Sequence, residues 1–179
     1  MKAFNRDELQ RLLEVARRHN ELDHLMLLVT FNHALRVSET LSLRRENLVD
    51  GHLVVQRGKG SCKTCQPLLP DERAALEALA AKTEGRLFPI SRVTFWRRMQ
   101  AYAVEAGVPS FVAHPHALRH SAGRLGYLGG MGVAELQKYL GHKSGANTMI
   151  YLEASESGAC SAFAAAVKSA AAGVAHDSS

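Results

Sequence analysis

Residues 47–70, NLVDGHLVVQRGKGSCKTCQPLLP, decide the fold class, because no other stretch of the chain combines strand-favouring residues with paired turn signals. Asp50-Gly51 is a tight-turn pair, and the strand-favouring run Leu53-Val54-Val55 follows it. A second turn, Gly58-Lys59-Gly60-Ser61, separates this run from the segment that ends at Pro67-Leu68-Leu69-Pro70. The stretch therefore predicts a small antiparallel sheet of two or three strands.

On both sides of this stretch the apolar residues follow helical spacing. Near the start, Asn5 is a candidate N-cap with Glu8 three residues later, and Phe4 with Leu9 forms a candidate hydrophobic staple. Further helices are expected over 22–32, from about Ser38, after Asp71, from Ser91 to a C-cap at Gly107, from Pro115, over 133–140 and around Asn147. The chain is therefore predicted to be a mainly helical α+β domain.

Length and composition fit one folded domain. The 179 residues are 46% hydrophobic and 22% charged, which excludes a chain that is disordered throughout. No apolar run approaches the ~18 to 20 residues that span a bilayer, and the first seven residues lack the apolar core of a signal peptide. We expect a cytoplasmic protein with a single domain over 1–179, in which 156–179 forms an Ala-rich helical tail.

The charge balance points to a polyanionic partner. The formal net charge is +5, with nine histidines besides, and the pI is near 9.3. The three cysteines, Cys62, Cys65 and Cys160, are too few for a disulfide framework. Cys62 and Cys65 form a C-x-x-C pair, but a structural zinc site needs four ligands and no second pair follows, so no metal is expected.

Five short motifs place reactive side chains in a fixed order along the chain. They are Ala34-Leu35-Arg36-Val37-Ser38-Glu39, Gly58-Lys59-Gly60, His114-Pro115-His116-Ala117-Leu118-Arg119-His120, Leu140-Gly141-His142, and Tyr151, nine residues after His142. Taken alone, each residue has an ordinary interpretation: Arg36 fits a surface arginine, Lys59 a turn lysine, and His142 a histidine at a helix end.

Together and in this order, the five motifs resemble the tyrosine recombinase (phage integrase) family, over a span from about Phe4 to Tyr151. The H-P-H-x-L-R-H-S wording is most similar to that of the short fimbrial phase-variation invertases. The resemblance implies a site-specific recombinase that cuts and rejoins double-stranded DNA through a 3′-phosphotyrosyl intermediate. It implies no metal and no cofactor, and a homo-oligomer, a tetramer, on DNA.

The resemblance also implies the catalytic roles that bear on the phosphate. Cutting DNA without metal or ATP requires a protein nucleophile that keeps the phosphate in a covalent bond, and Tyr151 is assigned this role. Arg36 and Arg119 are assigned to clamp the non-bridging oxygens, because planar guanidiniums bind them with paired hydrogen bonds. His142 is assigned a further hydrogen bond to the same phosphate.

Proton transfer is assigned to two other residues. By the family pattern Lys59 protonates the departing 5′ oxygen, and His116 assists removal of the tyrosine proton. Lys63, four residues after Lys59, is a competing candidate for the catalytic lysine and a candidate DNA contact. Glu39 is expected to support the arginine pocket, and His120, one helical turn after His116, to have a structural hydrogen-bonding role.

The helix after Ser91 offers another DNA contact. Arg97 and Arg98 form a pair that suits phosphate binding, although solvated arginines are an equally good interpretation. The neighbouring Trp96 and Tyr102 are expected in the core.

Two departures from the family pattern and two alternative functions stay open. Ala34 stands where glycine is commoner, which questions the loop shape before Arg36, and Gln66 stands where a basic or branched residue is common. Members of the family commonly carry an N-terminal core-binding domain that nothing before Phe4 supplies, so a naturally short enzyme or an excised catalytic domain is expected. The alternatives are an inactive DNA-binding accessory protein or decayed integrase, and a type IB topoisomerase.

Overall fold

The computed structural model describes residues 3–58 and 61–144 together with Thr148. In chain order, its elements are α1 (Arg6–His19), α2 (Glu21–Asn32), α3 (Val37–Thr40), a 3₁₀ turn (Arg45–Asn47), β1 (Leu48–Val49), β2 (His52–Val55), β3 (Thr64–Pro67), α4 (Pro70–Lys82), α5 (Arg92–Glu105), α6 (Pro115–Leu128) and α7 (Val133–Leu140). The predicted mainly helical α+β fold is confirmed. None of the helices in these ranges is long and apolar enough to cross a membrane.

The three strands form one antiparallel sheet in the order β1-β2-β3. Asp50 and Gly51 turn the chain between β1 and β2 with φ values of 48° and 73°, which is the left-handed backbone that a two-residue hairpin requires. Between β2 and β3, the Ser61 N–H donates to the Gly58 carbonyl at 3.1 Å. This hydrogen bond connects the two sides of the second hairpin.

The helices enclose one main core. Phe4, Leu12, Phe95 and Met99 are almost fully buried in it, together with Leu118 of α6. The α2 helix lies at the centre and packs against α1, α4 and α6, while α7 packs against α6 and β3. This arrangement brings the C-terminal end of α2, the second hairpin, the buried face of α6 and the C-terminal end of α7 together.

Most predicted helix boundaries agree with the structure. Asn5 and Glu8 form the predicted capping box of α1, and Gly107 follows α5 with a φ of 64°. The α3 helix begins at Val37, one residue before the predicted start. The helix predicted around Asn147 lies outside the described residues, as does the tail over 156–179.

The prediction that Trp96 lies in the core is wrong, because this residue is 47% exposed. The buried side of α5 carries Phe95, Met99 and Ala103, which are four residues apart. Trp96 is one residue from Phe95, about 100° around the helix, and therefore lies outside that stripe. Tyr102 packs against the core as expected, and its hydroxyl donates to Asp23 at 2.6 Å.

Candidate active site

The loop after α2 delivers Arg36 to the start of α3. Ala34 adopts a left-handed φ of 47°, and the next amide, that of Leu35, donates back to the Thr30 carbonyl at 2.9 Å. Arg36 is then the N-cap of α3, and the carboxylate of Glu39 accepts from its backbone N–H at 2.8 Å. The same carboxylate accepts from Arg36 Nη1 at 2.8 Å. The Arg-x-x-Glu spacing is therefore a helix-capping device that also orients the guanidinium.

Arg119 reaches the same loop from α6. His114 caps α6 by accepting from the Ala117 N–H at 3.1 Å, and Pro115 occupies the first helical turn. Arg119 is 3% exposed; its Nη1 donates to the Ala34 carbonyl, and its Nη2 donates to the Leu140 carbonyl at 2.7 Å. The guanidinium is thereby held between the end of α2 and the end of α7.

A third guanidinium, that of Arg57, lies in the same cluster. Its Nη1 donates to Glu39 Oε2 at 3.0 Å, and Arg119 Nη1 lies 4.0 Å from the same oxygen. We refer to Arg36, Glu39, Arg57 and Arg119 as the Glu39 cluster. It contains three positive charges and one negative charge, so it has a surplus of positive charge beneath the surface.

The electrostatics of Glu39 and Arg57 follow from this arrangement. Burial acts to raise the pKa of Glu39, but the Arg36 backbone hydrogen bond and the charge of Arg57 outweigh it, so this pKa is lowered. Burial also lowers the pKa of Arg57, against the attraction of Glu39. Glu39 is therefore ionised at neutral pH and partly balances the surrounding arginines.

His142 follows the C-terminal end of α7. Gly141 ends that helix with a φ of 68°, and a Cβ at this position would lie 2.9 Å from Arg57 Cγ and 3.0 Å from the Cys62 carbonyl oxygen. Glycine is required here on both grounds. The Cys62 N–H donates to the Gly141 carbonyl at 2.9 Å, which attaches the second hairpin to the end of α7.

The His142 ring contacts Arg119 directly. Arg119 Nη2 lies 3.0 Å from His142 Nε2, and because a guanidinium can only donate, Nε2 is the acceptor. The proton of the neutral ring is then on Nδ1, which donates to Thr148 Oγ1 at 3.0 Å. Burial and the charges of Arg119 and Arg36 lower the pKa of His142 to about 4. To donate from Nε2 to a phosphate, the ring must gain a proton or move the one on Nδ1.

His116 and His120 lie on α6 beside Arg119, with ring centroids 6.1 Å apart. His116 is exposed, and His120 is half-buried. Burial, followed by the charge of Arg119, lowers the pKa of His116; burial and the neighbouring His116 lower the pKa of His120 to about 4. Both rings are therefore neutral at neutral pH, so His116 has the protonation state that a proton acceptor needs.

The structure brings together only part of the predicted site. Lys59 and Tyr151 lie outside the described residues. Lys63 is exposed on the second hairpin, between Cys62 and Thr64.

Neither arginine of the α5 pair joins the Glu39 cluster. Arg97 is exposed, and Arg98 Nη1 donates to the buried Asp23 at 2.6 Å, which ties α5 to α2. DNA contact by either arginine stays a prediction.

Gln66, one of the departures from the family pattern, is buried and has an internal role. Its Nε2 donates to the Tyr139 carbonyl at 2.9 Å, and its Oε1 accepts from His33 Nδ1 at 2.8 Å. His33 Nε2 in turn lies 2.6 Å from Glu72 Oε1. This side chain therefore connects β3 to α7 and to the end of α2.

Arg57 is the residue at this site that the sequence motifs did not single out. In the structure, Leu53, Val55 and Arg57 are buried and alternate with the less buried Val54 and Gln56, a pattern that the sequence run Leu-Val-Val-Gln-Arg does not show by itself. Period-two burial places them on one face of the strand and its extension. The Arg36 side chain, by contrast, is 30% exposed, and its Nη2 donates to Ser61 Oγ at 3.1 Å. A phosphate that reaches the surface here would meet Arg36 and His142 with buried positive charge behind them.

Sequence comparisons agree with the motif pattern. The model of the phage integrase family matches residues 2–157. The tyrosine recombinase XerA of Thermococcus kodakarensis is 33% identical over 164 residues, which cover 84% of this chain and 57% of that protein. The type 1 fimbriae regulatory protein FimE of Escherichia coli is 31% identical over 144 residues, covering 72% of this chain and 73% of FimE. The chain thus spans little more than half the length of XerA.

Solved structures share the fold. A crystal structure of XerA recombinase has a TM-score of 0.75 and 22% identity, covering 90% of this chain and 64% of that one. The catalytic domain of bacteriophage HP1 integrase has a TM-score of 0.72 and 21% identity, covering 91% of this chain and 94% of that domain.

Proposed function

The chain belongs to the phage integrase family, and from that premise we propose that it is a site-specific DNA recombinase that works through a 3′-phosphotyrosyl intermediate. The observation that carries the proposal is the pairing of Arg119 with His142 at 3.0 Å, beside the carboxylate that also holds Arg36. Arg36 and Arg119 can donate to one anion, and His142 can join them once its Nε2 carries a proton; all three lie at a cluster that has a surplus of positive charge.

The phosphate-binding step follows from that charge. A phosphodiester carries one negative charge, and its transition state for displacement concentrates more charge on the non-bridging oxygens. Arg36, at the surface, and Arg119, beneath it, are proposed to donate to these oxygens. Because their positions are fixed by Glu39 and by the Ala34 and Leu140 carbonyls, little reorganisation is needed when the charge develops.

The covalent step is proposed for Tyr151. Its phenolic oxygen loses a proton, forms a bond to phosphorus, and displaces the 5′ oxygen of the next nucleotide. His116, whose lowered pKa leaves the ring neutral, is the proposed proton acceptor. Lys59, with Lys63 as the alternative, is proposed to protonate the departing 5′ oxygen. Attack by a 5′ hydroxyl on the phosphotyrosine reverses these steps and rejoins the strand.

The proposed substrate is double-stranded DNA at specific sites, which fits the net charge of +5. We propose a tetramer on paired sites, because joining two duplexes requires four strand cleavages. The reaction is proposed to take place in the cytoplasm. The match to the type 1 fimbriae regulatory protein FimE, over 73% of that protein, agrees with the resemblance to the short fimbrial phase-variation invertases, which is the favoured subtype.

The test is covalent trapping on nicked DNA. The full chain is incubated with duplexes that carry a nick beside randomised sequence, so that the short released strand diffuses away and the adduct accumulates. An adduct that survives denaturant and yields one consensus sequence supports a site-specific recombinase. Recovery of bound DNA without any adduct would instead favour an inactive accessory protein.

The topoisomerase alternative is tested in parallel with a supercoiled plasmid. A type IB topoisomerase relaxes any supercoiled plasmid, whereas a site-specific recombinase acts only where its site is present. Relaxation that is independent of the trapped consensus sequence would overturn the proposed specificity.

A further inference from the structure

Arg57 belongs to the Glu39 cluster but cannot touch DNA. Its side chain has no exposed surface, and its guanidinium shares the Glu39 carboxylate with Arg36. A buried arginine carries a large desolvation cost, so its retention requires compensating contacts. Those contacts show what the residue holds together.

The guanidinium of Arg57 uses all three nitrogens. Nε donates to Thr64 Oγ1 at 2.9 Å, and Nη1 donates to Glu39 Oε2 at 3.0 Å and to the Ala34 carbonyl at 3.3 Å. Nη2 donates to the carbonyls of His33 at 2.9 Å and Tyr139 at 3.3 Å. One side chain therefore joins the end of α2, α3, β3 and α7.

The backbone around Arg57 leads to both candidate lysines. The next residue, Gly58, donates its N–H to Glu39 Oε1 at 3.3 Å, and it directly precedes Lys59. Thr64, which accepts from Arg57, directly follows Lys63. The hairpin segment that contains both lysines is thus anchored at one side by Arg57 and Gly58, and at the other by Thr64.

We propose that Arg57 is a positioning residue, which fixes the lysine-bearing hairpin against Glu39 and so sets the place from which a lysine protonates the 5′ oxygen. The inference rests on the proposed function and holds whichever lysine serves. Glu39 is the shared contact: the carboxylate that orients Arg36 also holds Arg57 and Gly58. The hairpin and the phosphate-binding arginine are therefore placed relative to each other by one group.

The test compares two leaving groups in single-turnover trapping on the consensus duplex. One substrate has the normal 5′ oxygen at the cleaved bond, and the other has a 5′-bridging sulfur, which departs without a proton. Arg57→Met is expected to slow adduct formation about 100-fold on the oxygen substrate, the loss typical of a displaced or missing general acid. On the sulfur substrate, the rate of adduct formation by Arg57→Met is expected to stay within about fivefold of the rate of the unchanged protein, because the sulfur leaves without a proton.

Two further variants of the cluster and one control variant keep the result independent of folding. Arg57→Lys keeps a positive charge but cannot form the forked contacts, so it is expected to show the same contrast between substrates. Thr64→Val keeps the shape and removes the Nε acceptor, and it is expected to show a smaller contrast of the same kind. Val15→Ala in the α1 core, away from the cluster, is the control for lost stability and is expected to show no contrast.

Each outcome decides between positioning and other roles. Equal losses on both substrates, or full activity of Arg57→Lys, would overturn the inference, because Arg57 would then act through charge or stability alone. If the unchanged protein forms no adduct with either substrate, the proposed function itself fails. An adduct from the unchanged protein without the contrast in the variants rejects only the role of Arg57.

Discussion

Replacing Glu39 by glutamine should destabilise the protein far more than the loss of a surface charge would. The two carboxylate oxygens accept from four donors: Arg36 N and Arg57 Nη1 at Oε2, and Arg36 Nη1 and Gly58 N at Oε1. An amide has only one oxygen, so in either orientation two donors lose their acceptor and face an NH₂ group. The buried positive charges also lose their only carboxylate within the cluster.

The expected cost follows from these contacts. A hydrogen bond to a charged group contributes about 1.5–3 kcal/mol, and breaking a buried ion pair costs about 3–5 kcal/mol. Two lost hydrogen bonds amount to about 3–6 kcal/mol and the broken ion pair to about 3–5 kcal/mol, so we expect a loss of about 3–5 kcal/mol for Glu39→Gln. For a chain of this size that corresponds to a fall in Tm of roughly 6–20 °C. Glu39 is almost fully buried, so solvent does not reduce the effect.

Denaturant unfolding of Glu39→Gln and of the control variant Glu14→Gln measures how much free energy of unfolding each substitution removes. Glu14 pairs with Arg17 at 2.8 Å on the surface, where its side chain is half-exposed, and its loss is expected to cost less than about 1 kcal/mol. Sulfate, compared with chloride at equal ionic strength, should restore more stability to the Glu39 variant than to the control, because it offers an anion to the partly exposed Arg36, next to the buried charges of Arg57 and Arg119. A loss below about 1 kcal/mol for Glu39→Gln would refute the reasoning.

Four further predictions concern catalysis, pH and assembly. Tyr151→Phe should abolish the covalent adduct while leaving DNA binding in gel shifts nearly unchanged; an adduct from this variant would contradict the assignment. Arg119→Lys should lower single-turnover cleavage at least 100-fold, since a lysine cannot fork between phosphate and carbonyls; near-normal rates would remove Arg119 from phosphate binding. In the folded protein His120 and His142 have pKa values of about 4, below the ordinary 6.5. Their contribution to stability is therefore present above pH 6.5 and is lost as the pH falls towards 4. Tm should drop on acidification, and the drop should be smaller in His120→Asn. Deletion from Ser157 onward should leave DNA binding but prevent higher-order complexes on a two-site duplex; unchanged sedimentation of those complexes would reject tail-mediated assembly.

Local sequence was enough to predict the parts of the site that local contacts build. The Arg-x-x-Glu spacing at Arg36 forms its own capping interaction, and Asp50-Gly51 forms its own hairpin. Likewise α7 ends at Leu140, as the predicted range 133–140 has it, and the structure adds that Arg57 and Cys62 exclude a side chain at the following Gly141. Each of these features depends on residues only a few positions apart, so a short window of sequence contains its cause.

The contacts of Arg57 and Gln66 could not be predicted in this way, because their partners come from distant parts of the chain. Arg57 donates to carbonyls at His33 and Tyr139, and Gln66 accepts from His33. The sequence around them, Leu53-Val54-Val55-Gln56-Arg57 and Thr64-Cys65-Gln66-Pro67, does not alternate between apolar and polar residues, so it does not indicate that these two side chains are buried. Only the folded arrangement supplies enough acceptors to bury them.

Ala34 shows how the cluster governs the backbone around it. A left-handed φ of 47° costs a non-glycine residue about 1–2 kcal/mol. Its methyl group, however, is fully buried against Leu136 and Leu140, and burial of one such group contributes about 0.8 kcal/mol in the opposite direction. Its carbonyl oxygen accepts from both Arg57 and Arg119, which a right-handed backbone would turn away. The hydrogen bonds from these two guanidiniums to one carbonyl therefore stabilise the left-handed conformation of Ala34. For this reason alanine can occupy a position where the family commonly has glycine.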